Sequence, residues 1–188
     1  MTTKDIRNNS SGETSGRGSY GVLAEFKAEV VNGLIQREGI SSVIEFGCGD
    51  GNQLQYMNYD TYLGVDVAGS LVRLCASKFA NDTSKSFMLY TPALWINRGF
   101  LQADLTVCLD VLYHITYETD FRNTLYDILH SSTEWVVQYT RLKQNGNPGL
   151  APFRTEIFLI ICSTIPNSKY MKLFLSDIPT SPRPTLSS

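Results

Sequence analysis

The sequence predicts an α/β domain, a doubly wound and mostly parallel sheet with helices on both faces. Short, almost continuously apolar runs such as Val43-Ile44-Glu45-Phe46 and residues 103–109 read as strands buried on both faces. They alternate with stretches whose apolar residues recur at helical spacing. The first run also leads straight into a glycine-rich turn, Gly47-Cys48-Gly49-Asp50-Gly51. Sheets of this class bind ligands beyond the carboxyl ends of their strands, which is where that turn falls.

The chain has 188 residues, enough for one domain with a full core. Hydrophobic residues make up 43% and charged residues 18%, with a net charge of −2, so no nucleic-acid footprint is present. Cys48, Cys75, Cys108 and Cys162 are scattered, without the spacing of a metal site or a disulfide framework. They read as reduced thiols, mostly buried. No signal peptide follows Met1, and the longest apolar run, residues 157–162, is too short for a bilayer. The expectation is a soluble cytoplasmic protein with no membrane and no nucleic-acid partner.

Residues 1–19 are polar and read as a tail or loop. Within them, Ser15-Gly16-Arg17-Gly18-Ser19 is either a flexible lead-in or a loop folding over a ligand, with Arg17 available to a carboxylate. Residues 20–37 carry a helical pattern through Val22, Phe26, Val30, Leu34 and Ile35. Ser19 is its expected cap and Gly39 its stop. Residues 42–46 form the first strand and 50–59 a helix after the glycine turn. Residues 61–67 form the second strand, 70–79 an amphipathic helix, 86–90 a third strand and 93–97 a short helical turn. The fourth strand spans 103–109, a helix 118–130 and the fifth strand 134–140. Residues 143–152 are a loop. Residues 153–164 are apolar and fit helix or strand, the surrounding pattern favouring helix, and residues 169–175 are assigned to a sixth strand. The main domain is placed at 20–178, with an irregular, proline-containing tail at 179–188.

The glycine turn alone does not separate nucleotide cofactors. Asn52 stands where a dinucleotide fingerprint needs its third glycine, and Glu45 sits two positions before Gly47. A carboxylate there repels a pyrophosphate but accepts from an ammonium. This pattern suits S-adenosylmethionine (SAM), which has an ammonium and a sulfonium and no phosphate, better than it suits NAD. Asp66, at the end of the second strand, is placed to accept from ribose hydroxyls, a turn or helix cap being the plainer role. Asp110, after the fourth strand, is read as a contact to the methionine end of SAM, a capping aspartate being the alternative. His114 lies four residues on. A hydroxyl acceptor benefits from a base, and an imidazole is suited to that, as it is to positioning. His130, at a helix end, is read as a surface or capping residue.

Three stretches then carry a family resemblance: residues 43–51, residues 62–67 (Tyr62-Leu63-Gly64-Val65-Asp66-Val67), and residues 103–115 with Asp110-Val111-Leu112-Tyr113-His114. In order and spacing they resemble the SAM-binding motifs of class I, Rossmann-like methyltransferases. The stretch from Ser15 to Lys27 is similar to a narrower group of small bacterial methyltransferases, often tied to polysaccharide or small-molecule biosynthesis. The resemblance implies a sheet of order 3-2-1-4-5-7-6 with the seventh strand antiparallel. It implies Glu45, Gly47, Cys48, Gly49, Asp66 and Val67 around SAM, and Asp110 and Val111 beside the methyl. Two departures stand out. Tyr90-Thr91-Pro92 replaces the usual acidic residue after the third strand, and the narrower group's His/Arg-rich segment is reduced to Arg154. The proline-rich tail predicts that the seventh strand is absent or irregular. The resulting expectation is a SAM-dependent methyltransferase producing S-adenosylhomocysteine (SAH), acting on a small-molecule or saccharide acceptor, at oxygen. A non-catalytic SAM-binding protein is the alternative.

Overall fold

The structure, a computed structural model, describes residues 16–143 and 153–161. Six strands form one sheet in the order β3-β2-β1-β4-β5-β6. The strands are β1 (Ser42–Phe46), β2 (Thr61–Asp66), β3 (Lys85–Leu89), β4 (Ala103–Leu109), β5 (Ser132–Lys143) and β6 (Phe153–Ile161). The first five are parallel, with β1 between β2 and β4. The order reverses at β1, so the crevice beyond β1 and β4 is the topological switch point.

Helix α1 (Gly21–Glu38) and α2 (Gly69–Lys78) pack on one face, and α3 (Glu118–His130) on the other. The alternation of β1 explains the split: Val43 joins the core under α1 and α2, while Ile44 and Phe46 join the core under α3. Central strands covered on both faces need apolar residues at nearly every position, and β4 has them, with Leu105, Val107 and Cys108 fully buried. α1 buries the stripe Ala24, Ala28, Val31 and Leu34, and ends at Gly39, whose left-handed backbone lets the amides of Gly39 and Ile40 bond Ile35 O.

Several expectations are corrected. Ser19 does not cap α1: Tyr20 holds the N-cap position without a side-chain bond, and Ser19 lies in a 3-10 turn (Arg17–Ser19) whose carbonyl accepts from Asn52 Nδ2 at 2.5 Å. The helix expected over 50–59 is only a 3-10 turn, Gln53–Tyr56. Asn32 stops it, donating to Tyr56 O at 2.9 Å and accepting from the amide of Asn58 at 2.8 Å, which turns the chain outward toward β2. Residues 153–161 are strand, not helix. They pair antiparallel with β5 from Phe153 opposite Lys143 to Ile161 opposite Trp135. The open edge of β5 offered a row of unpaired amides and carbonyls, and a segment of Phe, Thr and Ile meets it readily. β6 thus occupies the place beside the fifth strand that the resemblance gives to an antiparallel strand. The assignments for residues 1–15, 144–152 and 162–188, including the strand at 169–175 and the proline-containing tail, lie outside the described residues. No helix among the described residues is long and apolar enough to cross a membrane.

Candidate functional site

A cavity of about 950 Å³ opens at the carboxyl ends of β1, β2 and β4. Its floor is the glycine turn. Gly47 takes a φ of +85°, and a Cβ there would come within 2.2 Å of Val111 Cγ2, so only glycine lets the turn pass under the segment leaving β4. The amides of Gly47 and Cys48 both reach Val65 O, at 2.7 and 3.2 Å, which ties the turn to the end of β2.

Asp66 lines the cavity from the end of β2. Its carboxylate accepts from the amides of Gly49 at 3.0 Å and Ala68 at 2.8 Å, so its orientation is fixed before any ligand arrives. Asp110 lines it from the end of β4, in a left-handed conformation with φ 60°. It accepts from Lys27 Nζ at 2.9 Å and from the Tyr113 hydroxyl at 3.0 Å. Lys27 itself is buried on α1, 5.3 Å over the Tyr139 ring. Gly47, Gly49, Val67, Val111 and His114 also line the cavity. His114 is exposed at the rim, its ring 4.2 Å from that of Tyr113.

Glu45 and Cys48 do not reach the cavity wall. Glu45 is buried on the α1 side of β1 and accepts from the Tyr62 hydroxyl at 2.7 Å. Burial pushes its carboxyl up to about 7, against the pull of the Tyr62 bond and of the Lys27 charge. Cys48 is buried beside Cys75 on α2, and their hydrogen bond, with burial, pushes the Cys48 thiol up. Cys75 also donates to Gly49 O at 3.2 Å, bracing the glycine turn from below. His130 stacks on Tyr126 at the end of α3, away from the cavity.

The loop at residues 15–19, read as a lead-in or as a fold over a ligand, takes the second role in its described part, while Lys27, Tyr90, Asp120 and Thr124 escaped sequence reasoning. The Arg17–Ser19 turn forms part of the roof: Gly16, Gly18 and Ser19 line the cavity, and a Cβ on Gly18 would meet Asp110 Oδ2 at 2.2 Å. The turn is held down by the Asn52 bond and by the Tyr20 hydroxyl on the Asp50 carboxylate. Asp120 and Thr124 reach the wall from α3. Lys27 had a visible signal, a lysine on the same helical stripe as Ala24, Val31 and Leu34. After β3, where the sequence lacks an acidic residue, Tyr90 lines the cavity. Its buried hydroxyl donates to Asp127 at 2.7 Å and lies 3.3 Å from Thr124 Oγ1. Among the described residues no cluster of side chains could hold a metal ion.

No protein-family model matches the chain, and no curated protein matches it. Solved structures do match. The [4+2]-cyclase SpnF aligns with a TM-score of 0.56 at 14% identity, over 70% of this chain and 50% of that one. The N-methyltransferase NodS from Bradyrhizobium japonicum, solved with SAH, gives 0.53 at 13% identity over 64% of this chain and 61% of its own. CalS10, a SAM-bound amino pentose methyltransferase from Micromonospora echinaspora, gives 0.53 at 11% identity over 78% and 79%. The chain thus spans half to three fifths of the first two. At these identities the likeness shows the fold, with its strand order 3-2-1-4-5.

Proposed function

From the fold of class I SAM-dependent methyltransferases, we propose that the chain binds SAM and transfers its methyl group to a small-molecule or saccharide acceptor, at oxygen. The observation that carries the reading is the charge of the cavity wall. Asp66 and Asp110 stand at the ends of β2 and β4, and both carboxylates line the cavity. A wall of this kind fits a cofactor with a sulfonium and an ammonium and opposes a pyrophosphate. The SAM- and SAH-bound relatives NodS and CalS10, which act as methyltransferases, support the same cofactor.

In this reading Asp66 accepts from the ribose hydroxyls, with Val67, Leu71 and Pro92 forming the apolar slot for the base. Gly47 and Gly49 allow close approach of the methionine portion, and Asp110, steadied by Lys27 and Tyr113, faces its ammonium. Glu45 lies outside the cavity lining and acts at one remove, through its hydrogen bond from Tyr62. When bound, SAM would supply an electrophilic methyl on its sulfonium sulfur to an acceptor oxygen, with SAH as the other product. The chain's part is chiefly to hold acceptor and methyl in line. His114, at the rim, takes the hydroxyl proton.

Calorimetry with SAM and SAH, NADH serving as the control, tests this directly. Saturable binding of both adenosyl compounds is expected, and no heat from either at millimolar concentration overturns the proposal. Methyl transfer from labelled SAM across a metabolite panel separates an enzyme from the alternative, a non-catalytic SAM-binding protein.

A further inference from the structure

We propose that the acceptor carries a protonated amine, held at the outer wall of the cavity between the Asp120 carboxylate and the rings of Tyr113 and Tyr117. This names the substrate class for the methyltransferase reading above and rests on it.

One wall of the cavity is built from the segment after β4 and the first turns of α3. Tyr113, His114 and Tyr117 present aromatic rings there, and Asp120 and Thr124 follow on the helix. Tyr117 is 73% exposed, a large ring left at the mouth of the cavity. Tyrosine faces attract cations through the negative centre of the ring, and more so out of bulk water.

The carboxylates of α3 divide by direction. Glu118 pairs with Arg122 at 2.6 Å on the outer surface. Asp120 faces the cavity, where no ion pair or side-chain hydrogen bond engages it among the described residues. Asp66, held by the amides of Gly49 and Ala68, and Asp110, held by Lys27, serve the cofactor in the reading above. Asp120 is the lining carboxylate left to an acceptor. An acceptor bearing a phosphate or carboxylate meets that charge. An ammonium finds both a carboxylate and aromatic faces.

A negative charge in the first turn of a helix is also favourable in its own right. That role predicts an effect of Asp120 on melting temperature, but none on the charge preference of a ligand. The two are separable in the SAH-loaded protein, using tyramine, tyrosol and 4-hydroxyphenylacetate as probes. These share one ring and differ in ending as ammonium, hydroxyl or carboxylate.

Calorimetry should show tyramine binding about tenfold more tightly than tyrosol, with the carboxylate weakest. Asp120→Asn should remove the ammonium preference and leave SAH affinity unchanged, and Asp120→Glu should retain the preference. Equal binding of the three probes, preference for the carboxylate, no binding of tyramine, or an undiminished ammonium preference in Asp120→Asn each overturns the inference while SAH still binds. Loss of SAH binding by the unmodified chain instead overturns the cofactor reading beneath it.

Discussion

The ammonium of Lys27 lies 2.9 Å from the carboxylate of Asp110, and both side chains are largely removed from water, at 1% and 14% exposure. Breaking such a pair from one side leaves a charge without its partner. Lys27→Met should cost about 3 kcal/mol or more in urea unfolding. The double variant Lys27→Met with Asp110→Asn should recover most of that loss. If the double variant is no more stable than the single one, the pair is not the source of the cost.

Asp66 is the most direct test of the cofactor assignment. Its carboxylate is fixed by two backbone amides and points into the cavity. Asp66→Ala should weaken SAH binding by about 1.5–3 kcal/mol per charged hydrogen bond lost, read by calorimetry. Unchanged affinity places the ribose elsewhere.

Gly47 is constrained twice, by its φ of +85° and by Val111 at 2.2 Å from the position of a Cβ. Gly47→Ala should destabilise the protein by about 1–3 kcal/mol and reduce SAH affinity. Adding Val111→Ala should relieve the clash but not the backbone strain, so denaturation should recover only in part.

Glu45 links stability to pH. Its folded-state carboxyl titrates near 7 against an ordinary 4.5, because burial disfavours its charge. The native state therefore keeps a proton that the unfolded chain releases. The contribution of Glu45 is greatest below pH 4.5 and is lost as pH rises to 7, a change on the order of 3 kcal/mol. Glu45→Gln cannot titrate, so the stability difference between it and the unmodified chain should narrow or reverse across that window in pH-dependent denaturation. A difference that is flat with pH contradicts the assignment.

His114 separates chemistry from binding. With a competent acceptor, His114→Ala should lower kcat about 100-fold while SAH affinity holds, if the imidazole takes the acceptor proton. A small change in kcat with a raised KM assigns it to positioning instead.

The fold was legible wherever one kind of local pattern dominated. Residues 118–130 read as a helix and are one, with the same bounds, because Phe121, Leu125, Ile128 and Leu129 mark a single face. The strands ending at Phe46, Asp66 and Leu109 were legible from their apolar runs, and with them the positions of Asp66 and Asp110. What failed was decided by distant partners. Residues 153–161 carry no strong period and become strand because β5 supplies a ladder. The helix after Gly51 is cut short by Asn32, far back in α1. Within the site, strand-end carboxylates follow from strand ends. The reach of Lys27 and Gly18 to Asp110, and of Asp120 to the cavity wall, depends on how α1 and α3 dock.

The roof over the cavity joins the two ends of the folding problem. Lys27 and Asp110 are separated by 83 positions, and the Gly18 contact reaches further still. The floor, by contrast, closes between near neighbours in the chain, the turn after β1 and the end of β2. Contacts across long loops carry the larger closure entropy and form after local ones. Closing the roof of the binding chamber therefore carries more loop entropy than closing its floor. A ligand that bridges floor and roof acts on the same step, by closing a loop that the polypeptide must otherwise close unaided.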